Sequence, residues 1–334
     1  MTEKKARKCC GWGLTSAASA LIAATIGWIL YSKRYIDHHA KLKIILDAEQ
    51  HTFESATAGK INYFVNGIKD KTPILLVHGL HMSAGLHDML PIFDAFRTSR
   101  LVYSIDLPGF GGSEKTDRPY RPSMYSAAIT DFIKNKIGQA CHVVSLGNSS
   151  EYAAVAAHEE PQLFKSIIMI NPSGFEMPDS SSISRQDRAE SFKDILLSLL
   201  KIPLWSLPLY DAFVSRANIT KWYTKRFSYD LPGELIDLAY TSAHQPGAHF
   251  APMVFLSGKL KVCNVREKFY EKVSVPVLAV YDNEPGMSFD MLPQLVREHS
   301  NWKAFRSRHS KGMPHFESSG ELFRQFDLFW KENS

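Results

Sequence analysis

A serine that attacks a carbonyl is best presented where a strand turns abruptly into a helix, and one stretch of this chain is built that way. CHVVSLGNSSEYAAVAAHEEP, from Cys141 to Pro161, runs from an apolar β-type segment through small polar residues into an alanine-rich helix, with Ser145, Ser149 and Ser150 near the junction. The chemistry served by such a placement is acyl transfer. A serine oxygen attacks an ester-like carbonyl, a histidine shuttles its proton, a carboxylate fixes the imidazole tautomer, and water releases the acyl group.

Positioning those groups requires a rigid frame, and the chain of 334 residues, 45% hydrophobic and 22% charged, is long enough to build one. The strand-like runs KINYFVNG, PILLVHG, RLVYSIDLPG, CHVVSL and SIIMINPSG alternate with the helix-like runs HDMLPIFDAF, SMYSAAITDFIKNKIG and SSEYAAVAAHEEPQLF. Such alternation predicts an α/β fold with a mostly parallel central sheet flanked by helices. From residue 175 to 274 the alternation stops and helical, aromatic and proline-punctuated stretches take over, so this span reads as a helical cap insertion. It resumes with VPVLAVYD, LPQLVREH, WKAFRSR and ELFRQFDLFWKEN. The core is therefore assigned to 49–174 and 275–334. There is no internal repeat or low-complexity tract.

The formal net charge is +5. Much of the excess sits in Lys4, Lys5, Arg7, Lys8, Lys33 and Arg34, on either side of the charge-free run GWGLTSAASALIAATIGWILYS. That location argues against a nucleic-acid-binding face. At about 1.5 Å per residue the run over 11–32 matches a bilayer core of roughly 30 Å, with Trp12, Trp28 and Tyr31 near its ends. It predicts a transmembrane anchor, following a basic tail (1–10) and preceding a stalk (33–48). The localisation that follows is a single-pass membrane protein with its body extracytoplasmic or luminal, and the bilayer as a partner. A cleaved signal peptide fits less well, because SAASA precedes the most apolar part of the run. Cys9, Cys10, Cys141 and Cys263 have neither metal-like spacing nor a disulfide framework. Cys9 and Cys10 read as free thiols or as acylation sites.

Several motifs, in order, resemble the α/β-hydrolase superfamily over roughly Asn62 to the C-terminus. LLVHGLHMSAG is similar to its strand and oxyanion loop, YSIDLPGFGGSEK to the next strand and glycine-rich turn, PVLAVYDNEP to the acid-bearing strand end, and GMPHFESSGELF to the histidine loop and last helix. The resemblance implies a serine hydrolase with a small-molecule or lipid-like substrate and no cofactor or metal. Two registers fit the nucleophile turn. One places Gly147 at the nucleophile position, between Ser145 and Ser149, which would be a dead elbow. The other reads Gly147-Asn148-Ser149-Ser150-Glu151, keeps Ser149 as nucleophile, and requires Glu151 to face solvent or bond at the helix N-terminus. Ser150 is a third candidate.

The family's G-H-x-P-H pattern appears here as Lys311-Gly312-Met313-Pro314-His315, so glycine stands where the base belongs. His315 is then the best base, with His309 second. Glu284 is the first choice of acid, followed by Asp282 and Glu176. The oxyanion donors would be the backbone N–H groups of Leu80 and Ser150. His78 reads as a structural loop residue.

Glycine at both usual catalytic positions keeps open a second function, a non-catalytic binding module. Neither register puts an aspartate at the turn, which excludes dehalogenase or epoxide-hydrolase chemistry. Gly109, Gly111 and Gly112 lack the lysine and spacing of a phosphate loop, and His38 and His39 lack the spacing of a metal pair.

Overall fold

The computed structural model describes residues 9–42, 48–177 and 186–333. The basic tail through Lys8, stalk positions 43–47, cap positions 178–185, position 334 and the side chains of 9–18 and 186–189 lie outside the described residues. The strands are β1 (Glu49–Ser55), β2 (Gly59–Asn66), β3 (Ile74–Val77), β4 (Val102–Ile105), β5 (Cys141–Leu146), β6 (Phe164–Ile170), β7 (Val277–Tyr281) and β8 (Trp302–Arg306). They form one sheet in the order β1-β2-β4-β3-β5-β6-β7-β8. Pairings involving β2 are antiparallel and all others are parallel. β1, EQHTFES, is absent from the sequence-based reading because it is a mostly exposed, polar edge strand with no apolar pattern to reveal it.

Helices α1 (Cys9–Tyr35), α2 (Leu90–Phe96), α3 (Pro122–Phe132) and α4 (Ser149–Glu159) precede or interleave with the first six strands. Between β6 and β7 come α5 (Gln186–Leu200), α6 (Ser206–Phe213), α7 (Arg216–Thr224), α8 (Gly233–Ala243), α9 (Phe250–Leu256) and α10 (Val265–Lys268). α11 (Leu292–Glu298), α12 (Pro314–Glu317) and α13 (Ser319–Glu332) complete the chain.

The central strands are mostly apolar because both faces of the sheet are covered. Leu75, Val77, Val143 and Ile167 pack on one side with Ala128 and Phe132 of α3 and Tyr152 and Ala156 of α4. Their neighbours Ile74, Leu76, Val144 and Ile168 meet Phe93 of α2 and Phe326 and Trp330 of α13 on the other. Each fully buried aromatic or aliphatic side chain contributes roughly 1.5–3 kcal/mol. The cap has its own apolar cluster, including Tyr210, Val214, Tyr223, Leu235 and Met253.

The N-terminal expectation is overturned. Among the described residues no helix is long and apolar enough to cross a membrane. The first half of the predicted span, GWGLTSAASAL, owes its lack of charge largely to glycine, serine, threonine and alanine, with few long apolar side chains. The C-terminal part of α1 packs on the cap instead. Trp28 Nε1 donates to Pro208 O at 2.8 Å, and Ser32 Oγ donates to Asp211 Oδ2 at 2.5 Å. His38 Nε2 lies 3.0 Å from Asp211 Oδ1, and Gln245 Nε2 donates to Ala40 O at 2.7 Å. The single-pass localisation, the bilayer partner and the luminal body all derived from the anchor and fall with it.

Glu151, in the first turn of α4, also departs from expectation. It is buried, and its bonds reach other segments: Oε1 accepts from Ser173 Oγ at 2.6 Å and Oε2 from Val262 N at 2.6 Å. One carboxylate thus ties α4, the loop after β6 and the returning end of the cap.

Two predictions follow from these buried acids. The hydrogen bond that His38 donates to Asp211 raises the His38 pKa against the opposing effect of burial. Its contribution to stability is therefore complete below the ordinary histidine pKa of about 6.5 and lost as pH rises through the raised value. His38→Ala should lower the melting temperature at pH 6 and leave it nearly unchanged at pH 9, measured by thermal denaturation. For Glu151, burial pushes the carboxyl up to about 7. Its contribution is present below an ordinary glutamate pKa and lost as pH rises through 7, so Glu151→Gln should be the more stable protein at pH 8, by up to roughly 3 kcal/mol. Urea denaturation should show that advantage vanishing by pH 4.

Candidate active-site cavity

The cavity lies at the carboxyl ends of β3, β5, β6 and β7, where an open α/β sheet places its ligands. Its floor is the turn after β5. Gly147 N donates to Ile170 O at 2.7 Å, closing the β5–β6 ladder, and the chain then turns through Gly147 at φ +60° directly into α4. Gly147 therefore holds the left-handed apex where a nucleophile would stand. Space for a side chain exists there, since a Cβ on Gly147 would meet nothing within 4 Å.

Ser149, two residues on, faces the protein interior. Its Oγ is fully buried, donates toward Leu146 O at 2.8 Å and Val77 O at 3.2 Å, and accepts from Leu146 N at 3.2 Å. Ser150 is equally buried, with its Oγ 3.0 Å from Ser145 Oγ and its N–H directed to Gly147 O at 3.2 Å. The Leu80 N–H, the other expected oxyanion donor, does reach the cavity wall. It is occupied by Asn148, whose Oδ1 accepts from it at 2.7 Å while Nδ2 donates to Leu80 O at 3.2 Å.

His315 is buried as well, and its Nε2 donates to the Asp88 carbonyl at 2.6 Å. Burial lowers its pKa to about 4, so the ring is neutral. Its Nδ1 has no hydrogen-bond partner. Among the described residues, no hydrogen bond joins Ser149 to His315 or His315 to Glu284; the three are not assembled as a relay. His309 is exposed on another face, beside Arg306 and Glu321, and Glu176 is exposed. His78 is held inside its loop, Nδ1 to Gly79 O at 2.6 Å and Nε2 accepting from Leu107 N at 2.9 Å.

Glu284 does line the cavity, in a different relationship from the one expected. A Cβ on Gly312 would overlap Glu284 Oε2, so this carboxylate fills the volume a histidine at 312 would need. Glu284 Oε1 pairs with Arg226 Nε at 2.7 Å. Burial raises the Glu284 carboxyl to about 7, with Arg226 opposing the shift. Arg226 in turn lies 3.9 Å above the Trp222 ring, and the His81 ring stacks on Trp222 at 4.0 Å. Asp282, at the end of β7, takes the N–H of Gly312 at 2.6 Å and receives no imidazole. Its own N–H donates to Asn171 Oδ1 at 3.0 Å, while Asn171 Nδ2 donates to Gly312 O at 3.1 Å.

The resulting cavity has a volume of about 440 Å³, and its wall is largely apolar: Leu80, Leu146, Trp222, Phe255, Leu260 and Met287. Asn148, Trp222 and Arg226 are absent from the sequence-based site. Asn148 stands beside the candidate serine in the sequence and was legible as the residue after the apex. Trp222 and Arg226 are an i, i+4 pair in KWYTKR, a local signal that does not say which loop it will cover. Among the described residues no group of histidine, cysteine or acidic side chains is arranged to hold a metal ion.

Comparison with known proteins places this geometry in context. The membrane phospholipase A described as a bacterial virulence factor is 16% identical, with 97% of each chain covered and a TM-score of 0.65. The epoxide hydrolase CorEH is 16% identical over 86% of this chain and 100% of its own, with a TM-score of 0.67. The carboxylesterase CesB of Bacillus subtilis is 12% identical over 92% and 98%, with a TM-score of 0.62. At these identities the likeness is one of fold. The 1-acylglycerol-3-phosphate O-acyltransferase ABHD5 of Homo sapiens and of Pongo abelii is 29% identical over 132 residues. That match spans 37% of this chain and 36% of each relative. The profile of the alpha/beta hydrolase family matches residues 74–325, well over half of the sequence. With that match, the sheet order and the turn after β5, the chain belongs to the alpha/beta hydrolase family.

Proposed function

We propose that this protein is a binding module built on the α/β-hydrolase fold, in which the former reaction cavity holds a small, largely apolar ligand without an acyl-serine step. One observation carries the reading: Gly147, at φ +60°, takes the apex of the turn after β5 and leaves the nucleophile's place open. Three further features support it. Asn148 closes the Leu80 N–H that would stabilise an oxyanion. Glu284 fills the volume of the missing histidine side chain. The cavity, about 440 Å³, lies in the size range of small-molecule sites. The relatives' name, an acyltransferase of acylglycerol phosphates, is in keeping with a lipophilic ligand.

The competing reading is a serine hydrolase for an ester-like substrate, with Ser149 attacking, His315 as base, Glu284 as acid, and the Leu80 and Ser150 N–H groups as oxyanion donors. It requires Ser149 Oγ to leave its bonds to Leu146 and Val77, and His315 to leave Asp88, before the two can meet.

A fluorophosphonate probe, which labels activated serines, separates the two. The folded full-length protein should remain unlabelled, like its Ser149→Ala variant; labelling that disappears only in Ser149→Ala would overturn the binding reading. Gly147→Ser should fold at a cost of about 1–2 kcal/mol for a non-glycine residue at positive φ, and should also stay unlabelled for want of a base.

A further inference from the structure

Which ligand the cavity accepts is set by the polar groups on its wall that still have hydrogen-bonding capacity. The wall's carboxamides are closed. Asn148 is bonded at both ends to Leu80, and Asn171 spans Asp282 N and Gly312 O. Glu151 is engaged by Ser173 and Val262, and His81 turns its Nε2 to Asp88 Oδ2 at 2.9 Å. Glu284 differs. Oε1 is held by Arg226, while Oε2 is turned toward the bare Cα of Gly312, and both residues line the cavity opposite the space left at Gly147. Arg226 uses Nε on Glu284 and Nη1 on Trp222 O at 3.3 Å, which leaves Nη2 for a ligand. Lys261 also lines the wall, where its charge is opposed by that of Glu151. The Glu284 end of the cavity is thus an acceptor beside a donor, with their charges balanced.

We propose that the cavity binds a neutral amphiphile, an apolar chain ending in a hydroxyl group that donates to Glu284 and accepts from Arg226. This rests on the binding-module reading and adds the ligand's chemical class. The other simple head groups each meet a specific penalty. An ammonium places a second cation beside the Arg226 guanidinium, and a carboxylate places a second anion beside Glu284. An ester has no donor for Glu284, so it would desolvate that carboxylate without pairing it, and the Leu80 N–H on the cavity wall is already occupied by Asn148. The apolar chain would lie along Leu146, Trp222, Phe255, Leu260 and Met287.

Four probes that share one chain isolate the head group: octanol, octylamine, octanoate and methyl octanoate, titrated into the full-length protein by calorimetry at pH 8. Octanol should bind at least about tenfold more tightly than methyl octanoate, the equivalent of one lost buried hydrogen bond, and more tightly than either charged analogue. Glu284→Ala, verified as folded by circular dichroism, should abolish the preference of alcohol over ester. The idea is sunk if the wild-type protein binds alcohol and ester equally, prefers either charged analogue, or binds none of the four. It is equally sunk if the preference for alcohol survives in folded Glu284→Ala. The wild-type series alone decides the question should Glu284→Ala fail to fold. The outcome is separable from that of the fluorophosphonate experiment: Ser149 labelling would end the binding-module reading, whereas an unlabelled protein without alcohol preference would end only the ligand assignment.

Discussion

The turn from β5 into α4 is the constraint on which the rest of the site depends. The last backbone bond of the β5–β6 ladder, Gly147 N to Ile170 O, fixes where the strand stops, and the chain must enter a helix immediately afterwards. Only a left-handed residue makes so abrupt a change, and glycine adopts that conformation without the steric penalty of a Cβ. Once Gly147 takes the apex, the following side chains have no freedom of role. Asn148 is directed at the loop after β3 and Ser149 falls back against the ends of β3 and β5, where its hydroxyl satisfies backbone carbonyls.

A second consequence concerns space. Glycines at two positions of the cavity wall leave volume that a side chain would fill, and the two spaces differ. At Gly147 the volume remains open. At Gly312 the Glu284 side chain moves into it and brings Arg226 of the cap along, and Arg226 in turn covers Trp222. A buried carboxylate without a partner would be costly, so the guanidinium is a requirement of that arrangement as much as an addition to it. The same logic operates at two further buried acids, Glu151, which joins cap to core, and Asp211, which joins the N-terminal helix to the cap. In each case the acid bonds across segments far apart in sequence, so the cap's position over the sheet is specified by directional polar contacts as well as by its apolar cluster.

Much of the fold was legible in the sequence. Apolar runs of strand length alternating with amphipathic helices are local patterns, and local patterns largely determine which segments can be covered on both sides and which on one. The loops that surround the cavity were legible through the family resemblance, since each follows a recognisable strand: HGLH after β3, GNSS after β5, DNEP after β7 and KGM before α12. The polar edge strand β1 escaped because its pairing, rather than its composition, makes it a strand.

What the tertiary structure alone decided is how residues within those loops face one another. Two registers of the turn after β5 fit the sequence, one with small residues at both flanks and one with Glu151 at the trailing flank, and the conformation of the turn depends on where the β6 partner ends the ladder, a contact invisible to local pattern. The charge-free run near the N-terminus is a similar case. Its composition admits either lipid or protein as its surroundings, and the bonds of Trp28 and Ser32 to the cap, 180 and 179 residues away, put it against protein. Sequence determined most of the elements, which follow from periodicity, and the family resemblance gave the cavity's address. The occupants of the cavity wall, Glu284 against Gly312 and Asn148 across the Leu80 N–H, were fixed only by packing, because each depends on the space beside a glycine or a loop that local pattern does not show.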